Sequence, residues 1–171
     1  MPIHGALLDV HTVGVLLLGP SGIGKSECAL ELVTRGHRLV ADDVVDLRVE
    51  NGAVYGSAPD RIRHYMEIRG LGIIYVPDLF GPESVREEIR LDLVCRLQRW
   101  NEGATYDRLG LDHETEEVEG LRMPRFTLPA RPGGSMATIV DAAAREHRQR
   151  SLGVSAARRL DEQLRHEMGN S

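Results

Sequence analysis

Gly19-Pro20-Ser21-Gly22-Ile23-Gly24-Lys25-Ser26 constrains the fold more than any other stretch of this 171-residue chain. It matches G-x-x-x-x-G-K-[ST], a phosphate-binding loop that works only where a strand ends and a helix begins. The flanks meet that requirement. Gly14 to Gly19 reads GVLLLG, a short apolar run of the buried-strand kind. Beyond the loop, Ala29, Leu30 and Val33 share one helical face, and Gly36 is placed to end the helix. The glycines let successive backbone N–H groups turn inward as an anion nest at the helix N-terminus. Lys25 is then placed to neutralise β- and γ-phosphates, and the Ser26 hydroxyl to ligate Mg2+. Lys25 is also the only lysine among 21 Lys and Arg residues. Its slim ammonium suits a tight phosphate nest in a way that the bulkier guanidinium fork does not.

Around this unit the sequence predicts an α/β domain with a mixed sheet. IHGALLDV (Ile3 to Val10) comes so shortly before the loop strand, across HTVG, that the two runs read as an antiparallel hairpin. HRLVADD gives a third strand, and a helical crossover between parallel strands makes this a βαβ unit. Asn51-Gly52 between β-rich segments marks a second hairpin. IRLDLVCRL reads as one strand with Ile89, Leu91, Leu93, Cys95 and Leu97 on one face. Met136, Ile139, Val140, Ala143, Ala144 and His147 follow the spacing of an amphipathic helix. From Ser155 only a narrow stripe of Ala157, Leu160, Leu164 and Met168 continues, which suits a peripheral helix or a subunit contact. No repeat, linker or low-complexity tract interrupts the chain, so residues 1–171 read as a single domain.

Composition removes several function classes. Cys28 and Cys95 are the only cysteines, too few for a disulfide scaffold or a thiolate zinc quartet, and a reducing cytoplasm is the expected compartment. The net charge of −5, with scattered cations, argues against a nucleic-acid footprint. No apolar run approaches the roughly 18 residues of a membrane span, and no export signal is visible.

Acidic and basic groups near the loop extend the chemistry. Asp42-Asp43 closes RLVADD. In a parallel α/β arrangement the ends of strands share an edge with the phosphate loop. One aspartate then holds Mg2+ through water, and the other accepts a proton from an attacking hydroxyl. A turn or capping pair is the competing reading. Glu67, ahead of a glycine-rich turn in MEIRGLGIIYV, is a candidate second metal ligand, and Arg69 is either a phosphate clamp or its ion-pair partner. Arg108 in YDRLG falls in a loop, where a cation either stabilises the transferred phosphoryl group or faces solvent. His4 is ambiguous by itself.

IHGALLDV, GPSGIGKSE, RGHRLVADD, EIRGLGIIYVPDLFG and YDRLGLD occur here in the order found in the catalytic domain of the bacterial HPr kinase/phosphorylase family. The resemblance covers nearly the whole chain. It implies a mixed-sheet P-loop fold similar to phosphoenolpyruvate carboxykinase, with C-terminal helices. It implies a Mg2+-dependent enzyme that phosphorylates a regulatory serine of the phosphocarrier HPr with ATP or pyrophosphate. The reverse reaction is phosphorolysis, in which inorganic phosphate releases pyrophosphate. By matching motif, the resemblance makes Lys25 and the loop amides the phosphate holders, Ser26 and Glu67 the metal ligands, and the Asp pair the base and acid. Asp43 is favoured for the proton and Asp42 for the metal water. His4 and Arg108 match active-site positions. A homo-hexamer is implied, and no nucleic acid or membrane partner.

Two departures stand out. Relatives carry a basic and an amide residue after the glycine of a P-V-x-x-G-R-N-like segment linked with dephosphorylation. The segment here is PARPGGS: Pro129, Ala130, Arg131, Pro132, Gly133, then Gly134 and Ser135 at those two places, with Arg131 as a compensating cation. Set against longer relatives, the resemblance also implies that these residues correspond to the catalytic core and not to the N-terminal domain, as expected of either a trimmed or a naturally short form. Two rival readings of the loop are a P-loop kinase for small molecules and a non-catalytic ATP-binding sensor.

Overall fold

Three stretches of chain bend from one sheet into another, and those bends organise the molecule. The computed structural model describes residues 1–100, 113–131 and 134–169. In chain order these form β1 (Pro2–His4), β2 (Ala6–Val10), β3 (Val13–Leu18), α1 (Lys25–Thr34), β4 (Arg38–Ala41), β5 (Val44–Glu50), β6 (Ala53–Ser57), β7 (Tyr65–Ile68), β8 (Gly72–Tyr75), α2 (Val76–Phe80), β9 (Glu88–Arg90), β10 (Leu93–Arg99), β11 (Glu114–Val118), β12 (Leu121–Ala130), α3 (Met136–Ser151) and α4 (Ala156–Gly169). A six-stranded sheet runs β11-β12-β10-β3-β2-β4, a four-stranded sheet runs β1-β5-β6-β9, and β7-β8 is a separate hairpin. The larger sheet is mixed: β10 lies parallel to both β3 and β12, while β2 is antiparallel to β3 and β4.

Alternation along the central strands explains the layers. Ala6, Leu8, Val10, Val13, Val15, Leu17, Leu93 and Cys95 meet Cys28, Ala29, Leu32 and Val33 of α1 and Ala137, Val140, Ala143 and Ala144 of α3 in one core. The intervening Leu7, Leu16, Leu18 and Val94 meet Val45, Leu47, Val54 and Ile89 of the smaller sheet, with Leu91 just beyond it, in a second core. A strand buried on both faces reads as a continuous apolar run, which is why VGVLLL carries no polar side chain.

Two sequence expectations are corrected here, and the βαβ unit is present with an inserted neighbour. IHGALLDV is not one strand but β1 and β2, which break at Gly5 and join different sheets. β4 does run parallel to β3, but β2 lies between them and hydrogen-bonds to both, so the crossover skips a neighbour. IRLDLVCRL is also two strands. Ile89 and Leu91 face the inter-sheet core while Leu93 and Cys95 face the helices. Period-2 alternation continues through such a bend, so it cannot reveal that the neighbours have changed. The expected hairpins at His11-Thr12 and Asn51-Gly52 are present, with all four residues at positive φ as two-residue turns require.

The C-terminal helices are present with a shifted face. α3 buries Ala137 along with Val140, Ala143 and Ala144, whereas Ile139 is exposed. α4 buries Ala157 alone, leaving Leu160, Leu164 and Met168 exposed. Among the described residues no helix is long and apolar enough to cross a membrane.

The β9–β10 bend is fastened to Gly14 from both sides. Asp92 Oδ2 accepts from the Gly14 N–H at 3.0 Å, and the Asp92 N–H donates to the Gly14 carbonyl at 2.9 Å. A Cβ at Gly14 would stand 1.9 Å from the Arg90 carbonyl oxygen, which backbone pairing prevents from moving. Gly14→Ala is therefore expected to destabilise the fold by about 2–3 kcal/mol, at the upper end of overpacking costs. Urea unfolding should show a lower midpoint; an unchanged midpoint would mean that the bend is not fixed at this contact.

Candidate active site

The loop strand β3 delivers the chain to Gly19, and α1 starts six residues later at Lys25. Gly24, the residue before the helix, has φ 106°, a left-handed conformation that would strain any side chain. Its carbonyl accepts the first helical hydrogen bond, from the Cys28 N–H at 3.0 Å. The Lys25 ammonium donates to the carbonyls of Gly19 at 2.7 Å and Pro20 at 3.0 Å, so the loop's own backbone holds it over the nest.

A pocket of about 480 Å³ opens at this helix start. Ser21, Gly22, Gly24, Lys25, Ser26, Asp42, Asp43, Glu67 and Arg69 line it, together with Gly5 and Glu27. Five residues of the loop motif thus converge with Asp42, Asp43, Glu67 and Arg69 on one cavity. The two additions are instructive: Glu27 adjoins the loop motif and was readable there, while Gly5 arrives only through the bend between β1 and β2.

Asp42 and Asp43 occupy the matching bend between β4 and β5, where the chain changes sheets. The Gly5 N–H donates to the Asp43 carbonyl at 3.1 Å, and the Val44 N–H to the Asp42 carbonyl at 2.8 Å. Asp43 sits at φ 70° and is exposed, whereas Asp42 is buried. The Ser26 hydroxyl donates to the Asp42 carboxylate, 3.0 Å from Oδ2 and 3.1 Å from Oδ1. The two aspartates have different environments, one tied to the loop serine and one open to the cavity.

Burial pushes the Asp42 carboxyl up to about 6; the Ser26 hydrogen bond opposes the rise and the neighbouring Asp43 charge adds to it. The cavity wall as a whole is acidic, with Glu27, Asp42, Asp43 and Glu67 against Lys25 and Arg69. Such a wall repels a polyphosphate unless a divalent cation enters with it. Ser26, Asp42 and Glu67 offer hard oxygen donors of the kind Mg2+ takes.

His4 is exposed and ends β1, paired in register with Val44, the residue after Asp43. It lies beside the bend, and the cavity wall does not include it among the described residues. Arg108 lies outside the described residues, as do Pro132 and Gly133. Pro129 and Ala130 end β12. Arg131 places its guanidinium 4.2 Å from the Trp100 ring centroid, and its carbonyl accepts from the Gly134 N–H at 3.1 Å. Ser135 caps α3 by accepting from the Thr138 N–H at 3.3 Å, and its hydroxyl donates to the Glu31 carboxylate on α1 at 3.1 Å. None of these described segment residues lines the cavity.

The family model described as HPr Serine kinase C-terminal domain matches residues 1–164. The HPr kinase/phosphorylase of Caldanaerobacter subterraneus subsp. tengcongensis is 52% identical over 169 residues, covering 98% of this chain and 55% of that protein. The HPr kinase/phosphorylase of Bacillus licheniformis is 51% identical over 163 residues, covering 95% of this chain and 53% of that protein. The chain therefore spans about half the length of these curated relatives. Among solved structures, the Hpr(Ser) kinase/phosphatase from Coxiella burnetii superposes with a TM-score of 0.84 at 36% identity, covering 90% of this chain and 93% of that one.

The raised Asp42 pKa has a consequence for stability. An aspartate that holds its proton more tightly folded than unfolded costs stability as pH rises from about 4, the unfolded value, to about 6. Above that range the full cost is about 3 kcal/mol, from a rise of about two units. Asp42→Asn, which still accepts the Ser26 hydroxyl, should raise Tm at pH 7.5 and leave it nearly unchanged at pH 4. Melting in the absence of divalent cations checks this; a lower Tm at pH 7.5 would show that the ionised carboxylate stabilises the fold.

Proposed function

The chain belongs to the HPr serine kinase C-terminal domain family, and from that premise we propose that it is a phosphotransferase acting on a serine of the phosphocarrier HPr. ATP is the donor, with pyrophosphate an alternative, and Mg2+ the accompanying cation. The observation that carries this reading is the pairing of the loop serine with buried Asp42, beside the exposed Asp43, in one cavity. A sensor that only held nucleotide would not need this concentration of carboxylate. The single catalytic domain of residues 1–171 and its hexameric assembly belong to the same proposal.

Each residue has a role in that cavity. The loop amides from Gly19 to Ser26 and the Lys25 ammonium hold the β- and γ-phosphates. Ser26 and Glu67 are the groups that would hold Mg2+, with Asp42 reaching it through water. The cation, when bound, neutralises charge on the phosphates. Asp43 takes the proton of the attacking serine hydroxyl as the serine Oγ–phosphorus bond forms and the bond between γ-phosphorus and the bridging oxygen breaks. ADP leaves with that oxygen. In reverse, inorganic phosphate attacks phosphoserine, Asp43 returns the proton to the serine oxygen, and pyrophosphate leaves. His4, beside the Asp43 bend, and Arg108 complete the catalytic set, Arg108 as the cation for the transferred group.

One site thus serves both directions, because a base that receives a proton in one direction is the acid that returns it in the other. The segment from Pro129 to Gly134 tunes the balance. Arg131 is its cation, and it stacks on Trp100 outside the cavity wall. Phosphorylation of HPr is accordingly the dominant reaction, within the regulation of sugar uptake by the phosphotransferase system in the cytoplasm.

Two measurements follow from these roles. Asp43→Asn should retain ATP affinity within about threefold while lowering the rate of HPr phosphorylation by at least 10²-fold, the usual range for a lost general base. Equal loss of binding and turnover would reassign Asp43 to nucleotide binding. Gly134→Arg with Ser135→Asn should raise phosphorolysis several-fold more than kinase activity. Asn caps a helix as well as Ser does, so α3 should keep its start. An unchanged ratio of the two activities would remove this segment from the explanation.

A further inference from the structure

A second cluster of ligating side chains lies at the far end of α1. His11 comes from the β2–β3 turn, His37 from the segment after α1, and Asp141 from the middle of α3. His11 Nε2 is 2.8 Å from Asp141 Oδ1, and His37 Nε2 is 3.3 Å from Asp141 Oδ2. The two imidazoles meet edge to face, with centroids 4.7 Å apart and planes at 77°. One ligand atom from each of the three residues lies within 4.8 Å of the other two. Among the described residues, this is the group of His, Cys, Asp and Glu side chains that meets such a spacing.

We propose that His11, His37 and Asp141 form a binding site for a zinc-type divalent transition-metal ion, separate from the phosphate cavity. Two imidazole nitrogens and one carboxylate oxygen are a donor set for zinc and its neighbours rather than for Mg2+ or Ca2+, which take oxygen. Tetrahedral ligands at bond lengths of about 2.1 Å stand about 3.4 Å apart. Two of the separations already present, 2.8 and 3.3 Å, are close to that, and the third lies within 4.8 Å, so small side-chain adjustments suffice to gather the ligands. All three side chains are mostly buried yet retain some exposure, 22%, 11% and 19% in the order named, which leaves an entry path and a fourth position for water.

The neighbouring cations define what the ion must displace. Arg145 Nε donates to Asp141 Oδ1 at 2.8 Å, and Arg148 donates to the His11 carbonyl at 3.3 Å. Arg145 is 66% exposed, so its guanidinium can swing into water when an ion takes the carboxylate. α1 has ten residues and is about 15 Å long, which separates this cluster from the phosphate loop. The three ligands belong to separate elements. An ion there would tie the β2–β3 turn and the end of α1 to α3, stabilising the folded state by mass action.

The test is a titration of the untagged protein with zinc chloride in excess Mg2+, which occupies the oxygen-donor cavity. Calorimetry should give one site with Kd below about 10 µM, and Tm should rise. The ring resonances of His11 and His37 should shift in the wild-type protein while those of the other histidines stay in place. His11→Gln and His37→Gln should each weaken zinc binding at least tenfold while leaving the unligated protein folded. Absence of saturable binding would overturn the proposal, as would shifts confined to other histidines or variants that bind zinc as the wild type does. If a variant fails to fold, the wild-type resonances decide alone.

Discussion

The structure depends on a bent antiparallel ladder. β1 and β2 form one arm and β4 and β5 the other, with His4 paired to Val44 on one side of the bend and Leu7 paired to Ala41 on the other. The Gly5 N–H, donating to the Asp43 carbonyl, spans the point of bending. Because both arms turn together, each passes from one sheet into the other, and the two sheets bury a core between them. The same bend leaves Asp42 and Asp43 without regular partners on the edge where α1 begins. Fold and site are products of one backbone feature.

That placement has an energetic cost. Asp42 is buried with a hydroxyl as its side-chain partner, and burial raises its pKa against that hydrogen bond. An amide there would still accept the Ser26 hydroxyl without the cost of burying a charge. Strained or poorly solvated groups persist where the surroundings overdetermine them, and they mark functional positions. Here the surroundings are the two cores, whose central strands are buried on both faces. The cost is tolerable because the scaffold on either side is continuous.

Much of this was legible in the sequence for local reasons. The phosphate loop announces itself by glycine spacing, the turn at His11-Thr12 by the closeness of the runs it joins, and the second turn by the Asn51-Gly52 dipeptide itself. Asp42, Asp43 and Glu67 were legible as candidates because the Asp pair closes a strand on the edge expected to face the loop and Glu67 precedes a glycine-rich turn, while turn or capping roles stayed open in the sequence. The sheet changes at Gly5 and at Leu91-Asp92 were not legible, since alternation of apolar residues runs through the second bend without interruption and the apolar run Ala6 to Leu8 follows Gly5 directly. The face of α3 was misjudged at Ile139 because the helix is amphipathic enough for two adjacent stripes, and only the position of α1 selects the one with Ala137. The His11–His37–Asp141 cluster had no local signal: its members are separated by up to 130 residues and meet only through the tertiary fold.

The central claim is that this cavity passes a phosphoryl group from nucleotide to a protein serine. The most direct measurement is mass spectrometry of HPr after incubation with the purified protein, ATP and Mg2+. The account predicts one added phosphoryl group, located on a serine of HPr and dependent on Mg2+. ATP binding with unmodified HPr, or phosphate appearing on a small molecule instead, would contradict it.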